Sequence, residues 1–240
     1  MAVADNVASS VPSSAGGDGG LLVSVQVGRI APLGPDLVPT AFVKRPVGGP
    51  ITVAVLGLAG DEQADPTVHG GPEKAVYACA LANYAAWRQD FPEHAPLWVP
   101  GGLGENLTLD GLDEEGVHIG DIVRVGGVRL QVTQPRQPCY KFALRFRDKR
   151  MPKAMVANGR SGWYYRVLAT GSLAAGDRLE LIDRPNPDWS IARFNRVVAA
   201  KATTIEDYAQ IARLAGLSAG WRDTARHRLA RAVQTGEPDR

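Results

Sequence analysis

The chain has 240 residues, 45% hydrophobic and 22% charged, which leaves room for one large soluble domain or a medium one plus a small one. Its formal net charge of +2 is too small to imply a nucleic-acid or membrane partner, and no apolar run approaches the ~20 residues of a membrane span. Two cysteines, Cys79 and Cys139, are too few for a disulfide framework and are expected as free thiols in a reducing compartment.

Residues 1–20 are small, polar and rich in Gly and Ser, without a basic or an apolar targeting region. They read as a disordered tail, and the cytoplasm is the expected address. From Leu21 short β-like runs follow with turn signals between them. LLVSVQVGRI alternates, TAFVKRPV is broken by Pro46, and ITVAVLGL ends on glycine. AVYACA, LTLD, IVRV-GG-VRLQVTQ and RLELID complete the series, and Gly126-Gly127 predicts a hairpin. With little βαβ rhythm, this spacing predicts a mainly β fold, a closed or nearly closed barrel over 21–183.

Helices interrupt the strands. LANYAAWRQDF places Leu81, Tyr84, Trp87 and Phe91 on one face until Pro92 stops it, and these aromatics are expected in the core. DKRMPKAMVAN predicts another helix, ending at Gly159. After the linker RPNPDW, residues 188–236 predict a small three-helix bundle, with Thr204 and Ser218 as caps. Arg222, Arg226, Arg228 and Arg231 on its last helix read as a solvated face.

Walker, Rossmann, EF-hand and HExxH patterns are absent, and His69, His94, His118 and His227 have no metal-ligand spacing. Four polar clusters remain. VKRPV sets Lys44 and Arg45 side by side, so only one of them faces the interior of a sheet. GLAGDEQADPTVHGGPEKAV joins Asp61, His69, Gly70, Gly71 and Lys74, glycines and a lysine that suit an anion such as phosphate. LGENLTL brings Glu105 and Asn106 into a strand. QPRQPCYK reads as a stiff proline-held loop that fixes Cys139 between Arg136 and Lys141, cations that favour the thiolate. The four clusters describe a barrel mouth suited to an anionic ligand with a thiophilic atom.

The order KRPV, GLAGDEQAD, HGGPEKAV, GENL and QPRQPCYK resembles the MOSC family, the domain found at the molybdenum cofactor sulfurase C-terminus. Within it, the chain is similar to the stand-alone YiiM-type subgroup with its C-terminal three-helix domain. The resemblance implies a β-barrel that binds the molybdenum cofactor (Mo-pyranopterin), with Cys139 as molybdenum ligand. By position, Lys44, Arg45 and Lys74 match cofactor contacts and Asn106 a site near the pterin; charge and proximity add Arg136 and Lys141. The implied activity is reductive removal of oxygen from N-hydroxylated substrates, with electrons from a flavin or iron–sulfur protein. Asp61, His69 and Glu105 are candidate proton donors. Two alternatives stay open: a sulfur carrier holding a persulfide on Cys139, and a non-catalytic cofactor carrier. The helical tail is expected at an interface, such as that of a homodimer.

Overall fold

The computed structural model describes residues 19–65, 69–200 and 203–235. Most of the expected disordered tail lies outside the described residues. Its last residue does not behave as one: Gly20 is buried, and its carbonyl accepts the Leu179 N–H at 2.8 Å.

The main sheet has eight strands. In spatial order they are β13 (Leu179–Asp183), β9 (Ile122–Val125), β10 (Val128–Pro135), β11 (Trp163–Ala169), β7 (Val76–Ala80), β8 (Leu107–Asp110), β1 (Leu21–Val27) and β4 (Arg45–Pro46). β9 and β10 form the expected Gly126-Gly127 hairpin. All neighbours are antiparallel except β7 and β8, which run parallel. That pair needs a crossover, and helix α1 (Leu81–Asp90) with the 3-10 turn Pro92–Leu97 supplies it. A single βαβ unit therefore sits inside a pattern that reads as mainly β, built on the helix expected at 81–91.

The ladder is open, with β13 and β4 at its ends. An isolated Leu21–Arg178 bridge, with Leu22 N–H donating to Asp177 O at 2.9 Å, ties the start of β1 to the approach to β13. The fold is thus sheet-rich with a helical C-terminal region, and the ladder does not confirm the predicted closed or nearly closed barrel. A smaller sheet, β12 (Gly171–Leu173), β5 (Ile51–Ala54) and β6 (Gly57–Leu58), splits the predicted ITVAVLGL strand into a hairpin, because the chain turns at Val55 and Leu56. β2 (Ala31–Leu33) pairs with β3 (Val38–Thr40).

Two apolar clusters organise the interior. One runs from the sheet (Leu22, Val25, Leu130, Trp163) into the C-terminal helices through Trp189, Phe194, Tyr208 and Ile211. Those helices are α4 (Ile191–Ala199), α5 (Ile205–Ile211) and α6 (Ala219–Thr235). The expected linker is packed: Trp189 is buried, and Arg184 pairs with buried Asp121 at 2.8 Å. Ser190 and Thr204 cap α4 and α5 through their hydroxyls, the latter in a capping box with Asp207. The arginines of α6 are engaged locally; Arg222 donates to Leu217 O, and Arg226 pairs with Asp223.

The second cluster stacks Trp87 on Trp98 (centroids 5.1 Å apart) and Trp98 on Phe146 (4.2 Å). It includes Tyr84 and Trp87, with Leu81 and Phe91 packed against them, as the helical spacing of 81–91 predicts, and it also holds buried Cys79. It packs α1 against α2 (Tyr140–Phe146) and α3 (Met151–Asn158). α3 is the expected helix and ends at Gly159. β11 carries no expectation from the sequence reading and holds the middle of the sheet, while α2 starts within the segment expected as a loop.

Candidate functional site

One open cleft, about 660 Å³ with its mouth included, has Lys44, Asp61, His69, Lys74, Asn106, Arg136, Cys139 and Lys141 in its walls. These side chains come from all four polar clusters. β10 delivers the motif: Gln134 and Pro135 finish the strand, paired with Tyr164 and Trp163. Cys139 is extended (φ −126°, ψ 167°) and is the residue that enters α2. The segment expected as one stiff loop is therefore loop only over 136–139. Proline restrains itself and its predecessor, so the chain is free to turn helical after Pro138.

Cys139 is partly exposed and unpaired with Cys79, and both thiols are free. Burial alone would raise the Cys139 thiol. A hydrogen bond from the His69 ring, the Arg136 charge and the Lys141 backbone N–H outweigh it and bring the pKa down to about 7. Arg136 is itself buried. Its guanidinium lies 5.6, 5.5 and 5.3 Å from the ring centroids of Phe42, Tyr77 and Phe142, and Nη1 is 2.9 Å from Met155 Sδ. Arg136 is thus a fixed charge beside the thiol.

Lys44 and Asp61 form a buried ion pair. Asp61 Oδ1 also accepts the Gly28 N–H at 2.6 Å, and Oδ2 accepts Asn106 Nδ2 at 2.9 Å. Asn106 Nδ2 also donates to Gln26 O at 3.2 Å, and its Oδ1 accepts the Tyr77 N–H at 3.1 Å. Lys74 ends the 3-10 turn Pro72–Lys74 and is half-buried, and burial lowers its pKa against the pull of Glu73. Lys141 is buried in the first turn of α2.

Four predicted site residues do not line the cleft. Arg45 is exposed in β4, opposite Val27; its neighbour Lys44 takes the inward position, as adjacent strand residues must divide. Gly70 and Gly71 lead into the Pro72–Lys74 turn without forming a wall. Glu105 is fully buried. It accepts from Gly101 N–H (2.6 Å), Leu103 N–H (3.2 Å), Thr108 Oγ1 (2.8 Å) and the Tyr84 hydroxyl, so it braces the 101–104 turn from behind the cleft wall. Asp61 lines the cleft with both oxygens engaged as acceptors, from Gly28, Lys44 and Asn106. Phe42, Tyr77, Gln137 and Tyr164 line the cleft and carry no expectation from the sequence. The aromatic run Trp163-Tyr164-Tyr165 was the signal for Tyr164.

Among the described residues, Glu93, His94 and Asp148 bring ligand-type atoms within 4.8 Å of one another. Arg150 already bridges Asp148 (2.6 Å) and Glu93 there, which makes it an ion-pair network.

A sheet-rich domain with a thiol and cations in one cleft, followed by packed helices, is matched by two family models. Residues 65–180 match the MOSC domain, and residues 189–232 match the YiiM-like 3-alpha helix domain. The chain belongs to the MOSC family, in the YiiM-like branch with that helical domain. Protein YiiM of Escherichia coli (strain K12) is 38% identical over 206 residues, 86% of this chain and 91% of that protein. A protein named "Reductase" from Gibberella moniliformis is 36% identical over 219 residues, 90% of this chain but 38% of its own length. The crystal structure of YiiM from Geobacillus stearothermophilus matches with a TM-score of 0.74 at 34% identity, over 88% of this chain and 99% of that one.

Proposed function

We propose that the cleft binds the molybdenum cofactor through Cys139 and that the chain is an oxidoreductase removing oxygen from N-hydroxylated compounds such as hydroxylaminopurines, amidoximes and hydroxylamines. The observation that carries this reading is the Cys139 thiol, drawn down to about 7 in a cleft that also holds Lys44, Lys74 and Lys141. The donor set fits the group: a soft thiolate for a metal that already has sulfur ligands, and cations for an anionic tail. His69 Nδ1 is buried without a hydrogen-bond partner, a further polar atom in want of a ligand. The name of the fungal relative speaks for reduction.

When bound, the cofactor would supply the two-electron chemistry that converts R–NHOH, two electrons and two protons into R–NH₂ and water. A flavin or iron–sulfur protein would bring the electrons. The chain's own residues would bind and orient. Cys139 would hold the metal, His69 and Arg136 would favour its thiolate, and the lysines would hold the anionic end. Asn106 fixes the floor between β7 and β1. With Asp61 and Glu105 occupied, His69 is the side chain left to hold a proton beside Cys139.

The test is to purify the protein from a host that makes the cofactor, measure molybdenum and pterin per chain, and assay reduction of a hydroxylaminopurine, with Cys139→Ser alongside. Stoichiometric metal, with activity lost in the variant, supports the reading. Metal-free protein carrying a cyanide-labile sulfur on Cys139 would replace it with sulfur transfer. Loaded protein inactive on the hydroxylaminopurine, and on an amidoxime and a hydroxylamine assayed in the same way, would leave a cofactor carrier.

A further inference from the structure

Glu73 sits between the cleft and the C-terminal helices. Its carboxylate accepts the Ala219 N–H, the first residue of α6, at 3.1 Å (Oε1) and 2.9 Å (Oε2). Arg166 of β11 donates to Oε1 at 3.0 Å and, through the same Nη2, to Gly216 O at 3.0 Å. The Glu73 carbonyl accepts Thr133 Oγ1 at 2.7 Å, and the Thr133 carbonyl accepts the Ser218 N–H at 3.1 Å. Ser218, the expected cap of α6, has a buried hydroxyl with no hydrogen-bond partner, so it does not perform that role. The cap comes from Glu73, 146 residues earlier in the chain. A carboxylate suits the position, because the first amides of a helix lack intrahelical acceptors and carry partial positive charge.

Glu73 is also the middle residue of the Pro72–Lys74 turn, which the Lys74 N–H closes onto Gly71 O at 3.1 Å. Lys74 and His69, on either side of it, are cleft walls. We infer that Glu73 is a positioning residue: it clamps the 69–74 segment to the start of α6, so that the C-terminal helices set where Lys74 meets an anionic ligand. This rests on the proposed reading only in taking the cleft as an anion site. The helical region thereby acquires a part in the site itself, beyond an interface with another chain.

The clamp is tested on the full chain, made in a host without the cofactor. The reading is the inorganic phosphate concentration that halves the rate of Cys139 alkylation by iodoacetamide. Lys74→Met removes the cation, Glu73→Ala removes the clamp, and Glu73→Gln keeps an acceptor for Ala219. Ala219→Pro deletes only the donated N–H, at the first helical position where proline is tolerated, and serves if Glu73→Ala does not fold. The expected result is a rise of about three- to tenfold in the half-protecting concentration for Glu73→Ala and Ala219→Pro, with most of it restored in Glu73→Gln. Lower thermal midpoints with unchanged phosphate protection would mean a merely structural cap and would overturn the inference. Unchanged protection in Lys74→Met would instead overturn the anion reading of the cleft, and the clamp's role in it.

Discussion

Lys44 and Asp61 are paired inside the cleft with only 8% and 5% of their side chains exposed. Breaking such a pair strands a charge away from water. Lys44 is expected to suffer more from losing its partner, because Asp61 keeps two N–H donors, from Gly28 and Asn106. Asp61→Ala should cost about 3–5 kcal/mol and Lys44→Met distinctly less. Urea unfolding of both variants measures this, and equal losses would contradict the asymmetry.

Cys139 should react as a thiolate at neutral pH. With its pKa drawn down to about 7, the alkylation rate of the cofactor-free protein should be half-maximal near that pH. It should be sustained above it and lost as the pH falls through it. His69→Ala removes the leading hydrogen bond to the thiolate and should move the midpoint up toward the ~8.5 of an ordinary thiol. Cys79 should stay unlabelled throughout, since burial pushes its thiol well up. Mass spectrometry of the labelled cysteines across a pH series decides both points.

Glu105 separates bracing from catalysis. Replacing it by alanine leaves the Gly101 amide without its acceptor and the Leu103 amide with only the Tyr84 hydroxyl at 3.4 Å, a cost of about 2–4 kcal/mol. Glu105→Gln retains acceptor capacity and should fold with the turn intact. At a temperature well below melting, Glu105→Gln should keep wild-type kcat. A large kcat loss in folded, cofactor-loaded Glu105→Gln would restore a direct chemical role.

Gly162 and Gly159 make a matched pair, with φ of 69° and 68°. A Cβ on Gly162 would lie 2.1 Å from Ala78 O, whereas one on Gly159 meets nothing within 4 Å. Gly159→Ala should cost about 1–2 kcal/mol from backbone strain alone. Gly162→Ala should cost at least about 2 kcal/mol beyond that, because β7 cannot yield without losing its pairing. Thermal melts of the two variants give the difference directly.

The strands with clean alternation, the hairpin at Gly126-Gly127 and the helices with capping residues were legible because each is a local pattern. β11 was not read, although WYYRV is rich in aromatic and β-branched residues, and its place between β10 and β7 depends on partners far away in sequence. The same distance explains Ser218: a local rule names it as cap, while a carboxylate from residue 73 takes the position. In the site, Cys139, Lys44 and Lys74 were legible from charge and motif. That Glu105 braces a turn and Arg136 lies among Phe42, Tyr77 and Phe142 depends on packing between elements.

The Asn106 side chain ends as a reporter. It takes the amide proton of Tyr77 in β7 while holding the carboxylate that holds Lys44. A ligand that draws Lys44 off Asp61 therefore alters the bond that protects one particular strand amide. The Tyr77 N–H resonance and its hydrogen-exchange rate would register cleft occupancy without a chromophore, a metal signal or turnover.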